Sequence, residues 1–441
     1  MVAVAPSINP YLVCDDCKVS IVNQSSACLR QAEGNCHRAV SISTVRRGFT
    51  VKLHEFVVRR LLLLVPVLIG VAILTFTISH LIPADAAAAR CGDRCGLTVD
   101  WTEDGKPISA YQQNREQMGM DEPVTTQFRI YFEDLAVGNW GDSSTYHRPV
   151  ADVVKDAAPI TLEMTFFALF IAYPLGITLG ILSAVRQDRM FDHISRFFAI
   201  AFVSLPIFWF AMLLQLLFAM GPIPGVGGVC DPLLAGTPWP SEGGCFPIFG
   251  RHDPSLTYPE DGFASYYPAG GTGFHLVDSW FVTDQKLATL PAEFGSNRLL
   301  FKDTVLHLAL PCACLGVASA GGLLRYMRAS LLEVLHEDYV RTARAKGISE
   351  FRVVIIHACR NALIPIVTIL GFSIGGALSG AVLTETIFGL NGMGKVAVKS
   401  IQYIDLPVIM GVTLITAVIF LLSNLIVDIM YAIVDPRVRL E

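Results

Sequence analysis

Six long apolar stretches constrain what this chain can fold into. They run roughly from Val57 to Ile82, Pro159 to Val185, Phe197 to Met220, Val305 to Leu324, Ala362 to Phe388 and Pro407 to Val434. A helix rises about 1.5 Å per residue, so about 20 apolar residues cross a hydrocarbon core. Each stretch meets that length, the fourth least convincingly because His307 and several glycines interrupt it. Charged residues make up only 16% of the chain, against about 25% in a soluble domain. The expected fold class is an all-α membrane protein with six transmembrane helices.

Basic residues set the expected orientation, because Lys and Arg near span ends favour the cytoplasmic side. Arg46, Arg47, Lys52, Arg59 and Arg60 precede or open the first stretch, and Arg186, Arg189 and Arg196 separate the second from the third. Arg325, Arg328, Arg341, Arg344, Lys346, Arg352 and Arg360 lie between the fourth and fifth, and Arg437 and Arg439 follow the sixth. These regions alternate correctly with six spans and put both termini in the cytoplasm. The expected order is a polar extension over 1–56, a span over 57–82, and an extracytoplasmic loop over 83–158. Spans two to four occupy 159–325, with an extracytoplasmic loop inserted at 222–302. A cytoplasmic loop covers 326–361, the last two spans cover 362–434, and a cytoplasmic tail covers 435–441. The net charge is -5 and no broad basic face appears, so nucleic acid is not an expected partner.

The first outer loop holds more acids than bases and an amphipathic stretch from Tyr111 to Leu135. The second is rich in Pro, Gly and aromatics, as in Phe263-Ala-Ser-Tyr-Tyr267, which predicts an ordered, irregular loop. Cys91 with Cys95, and Cys230 with Cys245, are candidate disulfides in an oxidising compartment, and spacing alone leaves their pairing open. In the N-terminal extension, Cys14, Cys17, Cys28 and Cys36-His37 match a zinc site in residue type. A second Cys-x-x-Cys pair is missing, so a disordered tail with incidental cysteines is the competing reading, and a chain starting near Val51 is a third. The extension has no short apolar core of a signal peptide.

The most informative segment runs from Arg325 to Pro365. Met327, Leu331, Leu332 and Leu335 continue the fourth helix beyond its apolar part. Asp338-Tyr-Val-Arg-Thr-Ala-Arg-Ala-Lys-Gly347 then predicts a short basic helix that stops at Gly347, a C′ residue with positive φ. A second helix starts near Ser349, with Glu350 in its first turn. Ala343 and Ala345 allow close backbone approach, and Arg341, Arg344 and Lys346 supply charge for docking on a partner. Composition alone favours an ordinary solvated loop obeying the same charge bias.

Tyr339-Val-Arg-Thr-Ala-Arg-Ala-Lys-Gly347, followed by Arg360-Asn-Ala-Leu-Ile-Pro365, closely resembles the EAA-type coupling loop of ABC importer permeases. The match is to the dipeptide/oligopeptide/nickel branch. Arg341-Thr-Ala343 stands where the general consensus has Glu-Ala-Ala, as is usual in that branch. Further resemblances are Val58-Arg-Arg-Leu-Leu-Leu-Leu-Val-Pro-Val-Leu-Ile-Gly70, Gln117-Met-Gly-Met-Asp-Glu-Pro123, Ser204-Leu-Pro-Ile-Phe-Trp209 and Asp435-Pro-Arg437. The N-terminal 50 residues and much of 222–302 depart from the family pattern. The resemblance implies a six-helix permease with a MetI-like core, in the cytoplasmic membrane, paired with a second homologous permease. It implies two cytoplasmic ATPases, an extracytoplasmic substrate-binding protein, and no cofactor in this chain. The coupling residues would be Tyr339, Arg341, Thr342, Ala343, Arg344, Ala345, Lys346 and Gly347. Peptides are the first-choice substrate, with nickel complexes and oligosaccharides as alternatives.

Other motifs weigh against other functions. Gly389-Leu-Asn-Gly-Met-Gly394-Lys395-Val396 has the glycine and lysine spacing of a P-loop but lacks the hydroxyl residue after Lys395. It reads as a tight outer turn, so ATP hydrolysis is assigned to separate subunits. No hydrolase or zinc-protease motif is present, and no internal repeat supports an ion-coupled secondary transporter. A charge in mid-membrane costs about 2.5–3.5 kcal/mol, so polar residues there face a bundle interior or cavity. Glu163, Gln215, His307, Glu385, Asn424 and Asp428 are such candidates. Glu163 and Glu385, near span ends, are expected to make interhelical or interfacial hydrogen bonds. His307 and Asp428 fit that role and a pathway-lining role equally. Asn424 and Asp428, at i and i+4, share a face that could meet the partner permease.

Overall fold

The computed structural model describes residues 53–81, 85–91, 95–101, 107–117, 119–218, 246–252, 272–282 and 296–434. Cys14, Cys17, Cys28, Cys36, Cys230 and Cys245 lie outside the described residues. The described chain is mostly helical. It opens with α1 (Leu53–Leu81), α2 (Ala86–Cys91), a hairpin of β1 (Thr98–Trp101) and β2 (Pro107–Ser109), α3 (Ala110–Gln117) and α4 (Val124–Ala136). There follow α5 (Val150–Val185), α6 (Met190–Ser204), α7 (Ile207–Phe218), α8 (His275–Asp278) and α9 (Asn297–Leu335). The last part contains α10 (Asp338–Ala345), α11 (Glu350–Ala362), α12 (Ile364–Ile387), α13 (Met393–Gln402) and α14 (Leu406–Val434).

Four helices, α1, α5, α9 and α14, are each long and apolar enough to cross a membrane. The bent pairs α6–α7 and α11–α12 raise the number to six if each pair is one span. Side-chain contacts show that the passages alternate in direction. Met164 of α5 packs in one apolar cluster with Cys312 of α9, and Ala184 packs in another with Leu331, so α5 and α9 run parallel. Ile366 at the start of α12 lies with Leu331, and Phe388 just past its end lies with Met164, so α12 runs opposite. The α6–α7 pair leads from Asp192, bonded to Arg328, to Phe210, packed near Phe388. Val408 and Val412 of α14 pack on Val150 and Val153, and Asp428 near its far end meets Arg60 of α1. The bundle therefore has an α10 end and an α13 end.

The seam between α5 and α9 is the most extensive in the bundle. Gly176 and Gly180, one small-xxx-small step apart, let the backbones touch. A β-carbon would fall 2.6 Å from Leu323 Cβ at Gly176 and 2.7 Å from Met327 Cβ at Gly180.

Several expected boundaries move. α5 starts at Val150, not Pro159, and α9 runs from Asn297 to Leu335, beyond Val305–Leu324 at both ends. Apolar length reports only the part a bilayer would cover, while both helices continue past it. The third stretch is not one straight helix. It begins at Met190 and bends by 107° between α6 and α7. Pro206 causes the break: it pushes Leu205 into extended backbone (φ -74°, ψ 131°) and supplies no N–H to the ladder. The amphipathic stretch from Tyr111 to Leu135 is two helices, separated by Gly119 at φ +64° and by Pro123. In the second long loop the described pieces are irregular at 246–252 and include the single turn α8 in 272–282.

Candidate functional site

At the α10 end the chain turns twice. α9 stops at Leu335, and α10 follows with Asp338 in its first turn, favourable to the helix dipole. Val340 and Ala343 are buried, whereas Arg341, Thr342, Arg344, Ala345 and Lys346 are exposed. The Lys346 N–H donates to Thr342 O at 3.1 Å and the Gly347 N–H donates to Arg344 O at 2.9 Å. Gly347 has φ +75°, the left-handed conformation that glycine adopts at least cost. Nothing lies within 4 Å of where its β-carbon would be, so the position faces open space.

The two arms of this bend are braced against each other. Arg344 Nη2 donates to Glu350 Oε1 at 2.7 Å and Arg344 Nε donates to Oε2 at 3.1 Å, a fork spanning Gly347. Asn361 Nδ2 donates to the Tyr339 hydroxyl at 2.7 Å, tying α10 to the far end of α11. Thr342 Oγ1 donates back to Asp338 O, four residues earlier in α10, at 2.9 Å. Within α11, Val353–Ala358 is a π-helical segment whose Val353, Val354 and Ala358 are buried. Such wide turns are frequent at functional positions.

The buried side of α10 joins one apolar cluster with Met327 and Leu331 of α9, Ala172 and Ala184 of α5, and Ile366 of α12. Through this cluster α10 is connected by apolar packing to three long helices. A second brace lies beside this cluster. Asp192 of α6, fully buried, accepts from Arg328 Nε at 2.7 Å and Nη2 at 2.8 Å, from Ser183 Oγ at 2.5 Å, and from the Asp188 N–H at 3.0 Å. Charge counting assigned Arg328 only to the basic loop, and the sequence carried no signal that Asp192 would be its partner.

Of the other polar candidates, Glu163, Gln215, Glu385 and His307 lie at or toward the α13 end, and Asp428 lies near the opposite end. Glu163 pairs with Arg251 and accepts the Leu276 N–H at 2.8 Å. Gln215 Nε2 donates to Ile248 O at 3.0 Å and to Ile387 O at 3.2 Å. Glu385 accepts from Thr161 Oγ1 at 2.5 Å and from the Lys395 N–H at 2.9 Å. The P-loop-like turn therefore already holds a carboxylate at the start of α13, where a phosphate would have to sit. The Lys395 ammonium donates to Asn391 Oδ1 at 2.9 Å, and burial lowers its pKa. His307 is buried, with Nδ1 donating to Asp303 O at 2.9 Å and lying 3.2 Å from Asp303 Oδ1. Asn424 packs against Gly371 of α12, and Asp428 Oδ2 lies 3.3 Å from Arg60 Nη1 of α1. Two different helices of the same chain thus meet the face these residues share. Cys91 and Cys95 are joined as a disulfide, with Cα atoms 4.9 Å apart. No group of three or more His, Cys, Asp or Glu suited to a metal occurs among the described residues.

The sequence profile described as "Binding-protein-dependent transport system inner membrane component" matches residues 176–440. The profile of the N-terminal part of such membrane components matches residues 53–165. The chain belongs to this family. Among its relatives is a dipeptide transport system permease of Alkalihalophilus pseudofirmus, 36% identical over 384 residues, covering 87% of this chain and 99% of the relative. A probable D,D-dipeptide transport system permease of Escherichia coli K12 is 37% identical over 377 residues, 85% of this chain and 94% of that protein. A glutathione transport system permease of Escherichia coli O1:K1 is 31% identical over 387 residues, 87% and 99% respectively. Membership makes the chain a multi-pass membrane permease component of an ABC transporter, a class whose permeases are not themselves ATPases.

Proposed function

We propose that this chain is the membrane-spanning permease of an ATP-driven importer of dipeptides or oligopeptides. It works beside a second, homologous permease, two cytoplasmic ATPases and an extracytoplasmic substrate-binding protein. Each bent pair counts as one span, giving six, with both termini and α10 in the cytoplasm and α13 outside. The observation that carries the reading is the two-sided character of α10. Its Val340 and Ala343 are seated in the cluster shared by α5, α9 and α12, while its basic side is exposed. An ATPase that grips the basic side moves the whole cluster when it closes on ATP. The permease then alternates between inward and outward openings, with nucleotide and substrate each favouring one state. The dipeptide, D,D-dipeptide and glutathione transporters among the relatives support a small-peptide cargo.

The test is purification from native membranes followed by reconstitution. Two co-purifying ATPases, with ATP-dependent uptake of a labelled dipeptide, are the expected result. Uptake driven by an ion gradient without ATP overturns the mechanism. Uptake of nickel or an oligosaccharide but no peptide overturns the cargo alone.

A further inference from the structure

The turn from His275 to Phe281 is inside out for a segment in water. Its polar side chains are buried: Asp278 is 3% exposed and Ser279 0%, and His275 is buried too. Its large apolar side chains point outward, with Val277 45%, Trp280 54% and Phe281 72% exposed. These three stand at i, i+3 and i+4 on one face, since the turn continues helically through Ser279 N–H to His275 O and Phe281 N–H to Asp278 O. Asp278 is fully engaged inward, accepting from the N–H groups of Thr272 and Gly273 at 2.9 Å each. The outward face is thus held in place by the inward one and is not free to collapse.

Two helices fix the level of this turn in the bundle. Trp280 packs on Phe301 of α9, ring centroids 5.3 Å apart. Counting about 20 residues back from Leu324, the last residue before Arg325, places the hydrocarbon edge at Val305. Phe301 lies one turn beyond, about 6 Å up the helix and on the same face as the exposed Val305. On α5 the same count from Val185 reaches the exposed Phe166, and Glu163, which accepts the Leu276 N–H, is again one turn beyond. Both counts put the turn in the band between hydrocarbon and water, where Trp is enriched because its ring is apolar and its N–H polar.

We propose that Val277, Trp280 and Phe281 form an interfacial membrane anchor, seated among lipid headgroups and upper acyl chains as a continuation of the apolar face at Val305. The 272–282 segment is thereby pinned to the bilayer surface, and buried Glu163 and Arg251 hold it from the protein side. Only the assignment to the extracytoplasmic leaflet rests on the orientation proposed above; the anchor itself does not.

The test is tryptophan quenching in lipid nanodiscs, using the chain with whatever subunits co-purify and comparing it with Trp280→Phe. The difference signal, which isolates Trp280, is expected to be quenched by lipid brominated near the top of its acyl chains and not by aqueous acrylamide. A Phe281→Trp change in the Trp280→Phe background should restore the lipid-quenched signal. Quenching by acrylamide and not by bromolipid means the turn faces water and overturns the anchor. Protection from both quenchers means another protein covers it, which also overturns the proposal. Absence of peptide uptake by the parent complex, with lipid quenching intact, would refute the cargo and leave the anchor standing.

Discussion

The carboxylate of Glu385 fills the space that a β-carbon on Gly392 would need, and Thr161 Oγ1 closes the other side. Glu385 also accepts the Lys395 N–H, and Thr161 Oγ1 accepts the Met393 N–H, so the start of α13 is satisfied from within the chain. Gly392→Ala should therefore lower stability by about 1–3 kcal/mol through overpacking. Thermal unfolding in detergent measures it, and Glu385→Gln, which keeps the shape, should cost less than Glu385→Ala. A Gly392→Ala chain as stable as the parent would show that the close approach imposes no constraint.

Gly347→Asp should separate folding from transport. The side chain meets open space, and Asp tolerates positive φ better than most residues, so the local cost is about 1–2 kcal/mol at most. Membrane insertion and yield should stay near normal while ATP-dependent uptake falls severely, because a bulkier, acidic residue then stands at the end of the docking helix. Normal uptake by this variant would remove the coupling role assigned to α10.

Reversing charge at Arg344 tests the brace across the bend. Both partners are partly exposed, so the pair is worth under about 1 kcal/mol and global stability should barely change. Arg344→Glu should nonetheless reduce uptake, and adding Glu350→Arg should recover part of it. If the double variant is no better than the single one, Arg344 acts through a partner protein rather than through Glu350.

The buried Asp192 gives the opposite pattern. Asp192→Ala leaves Arg328 without its fork, and breaking a buried pair costs about 3–5 kcal/mol. The lower end applies because the Arg328 side chain is 17% exposed and reaches solvent. A combined Asp192→Ala and Arg328→Met chain should be more stable than Asp192→Ala alone. Thermal shifts of the three variants decide the matter.

Outside the spans, Asp85 caps α2 through the Ala87 and Ala88 N–H groups and accepts the Tyr111 hydroxyl at 2.6 Å. The Tyr111 hydrogen bond, more than any other contact, holds its pKa below the usual 3.8. A depressed carboxylate stabilises above its unfolded value and loses that contribution as pH falls through the folded one. Hydrogen exchange in 86–91, corrected for intrinsic rates, should show protection at neutral pH that drops below about pH 4. Tyr111→Phe should shift that loss to higher pH.

Apolar length revealed the long helices, and the glycine of the Tyr339–Gly347 segment revealed the bend, since both are one-dimensional signals. The small-xxx-small step at Gly176 and Gly180 was equally visible in the sequence and predicts tight packing, though not its partner. Asp192 with Arg328, and Glu163 with Arg251, were not legible, because each pairs residues distant in sequence whose neighbours carry no periodic mark. The break at Pro206 could have been read from the proline, but hydropathy averages across it.

Backbone contact along the α5–α9 seam has a mechanical consequence. At Gly176 and Gly180 the two parallel helices approach without a side chain on the α5 side, a close contact that resists sliding and favours their moving together as one beam. On the coupling role proposed for α10, force entering at Val340 moves the two helices of the beam together. On the same proposal, an opening for cargo forms along the beam's outer flanks and not through the seam.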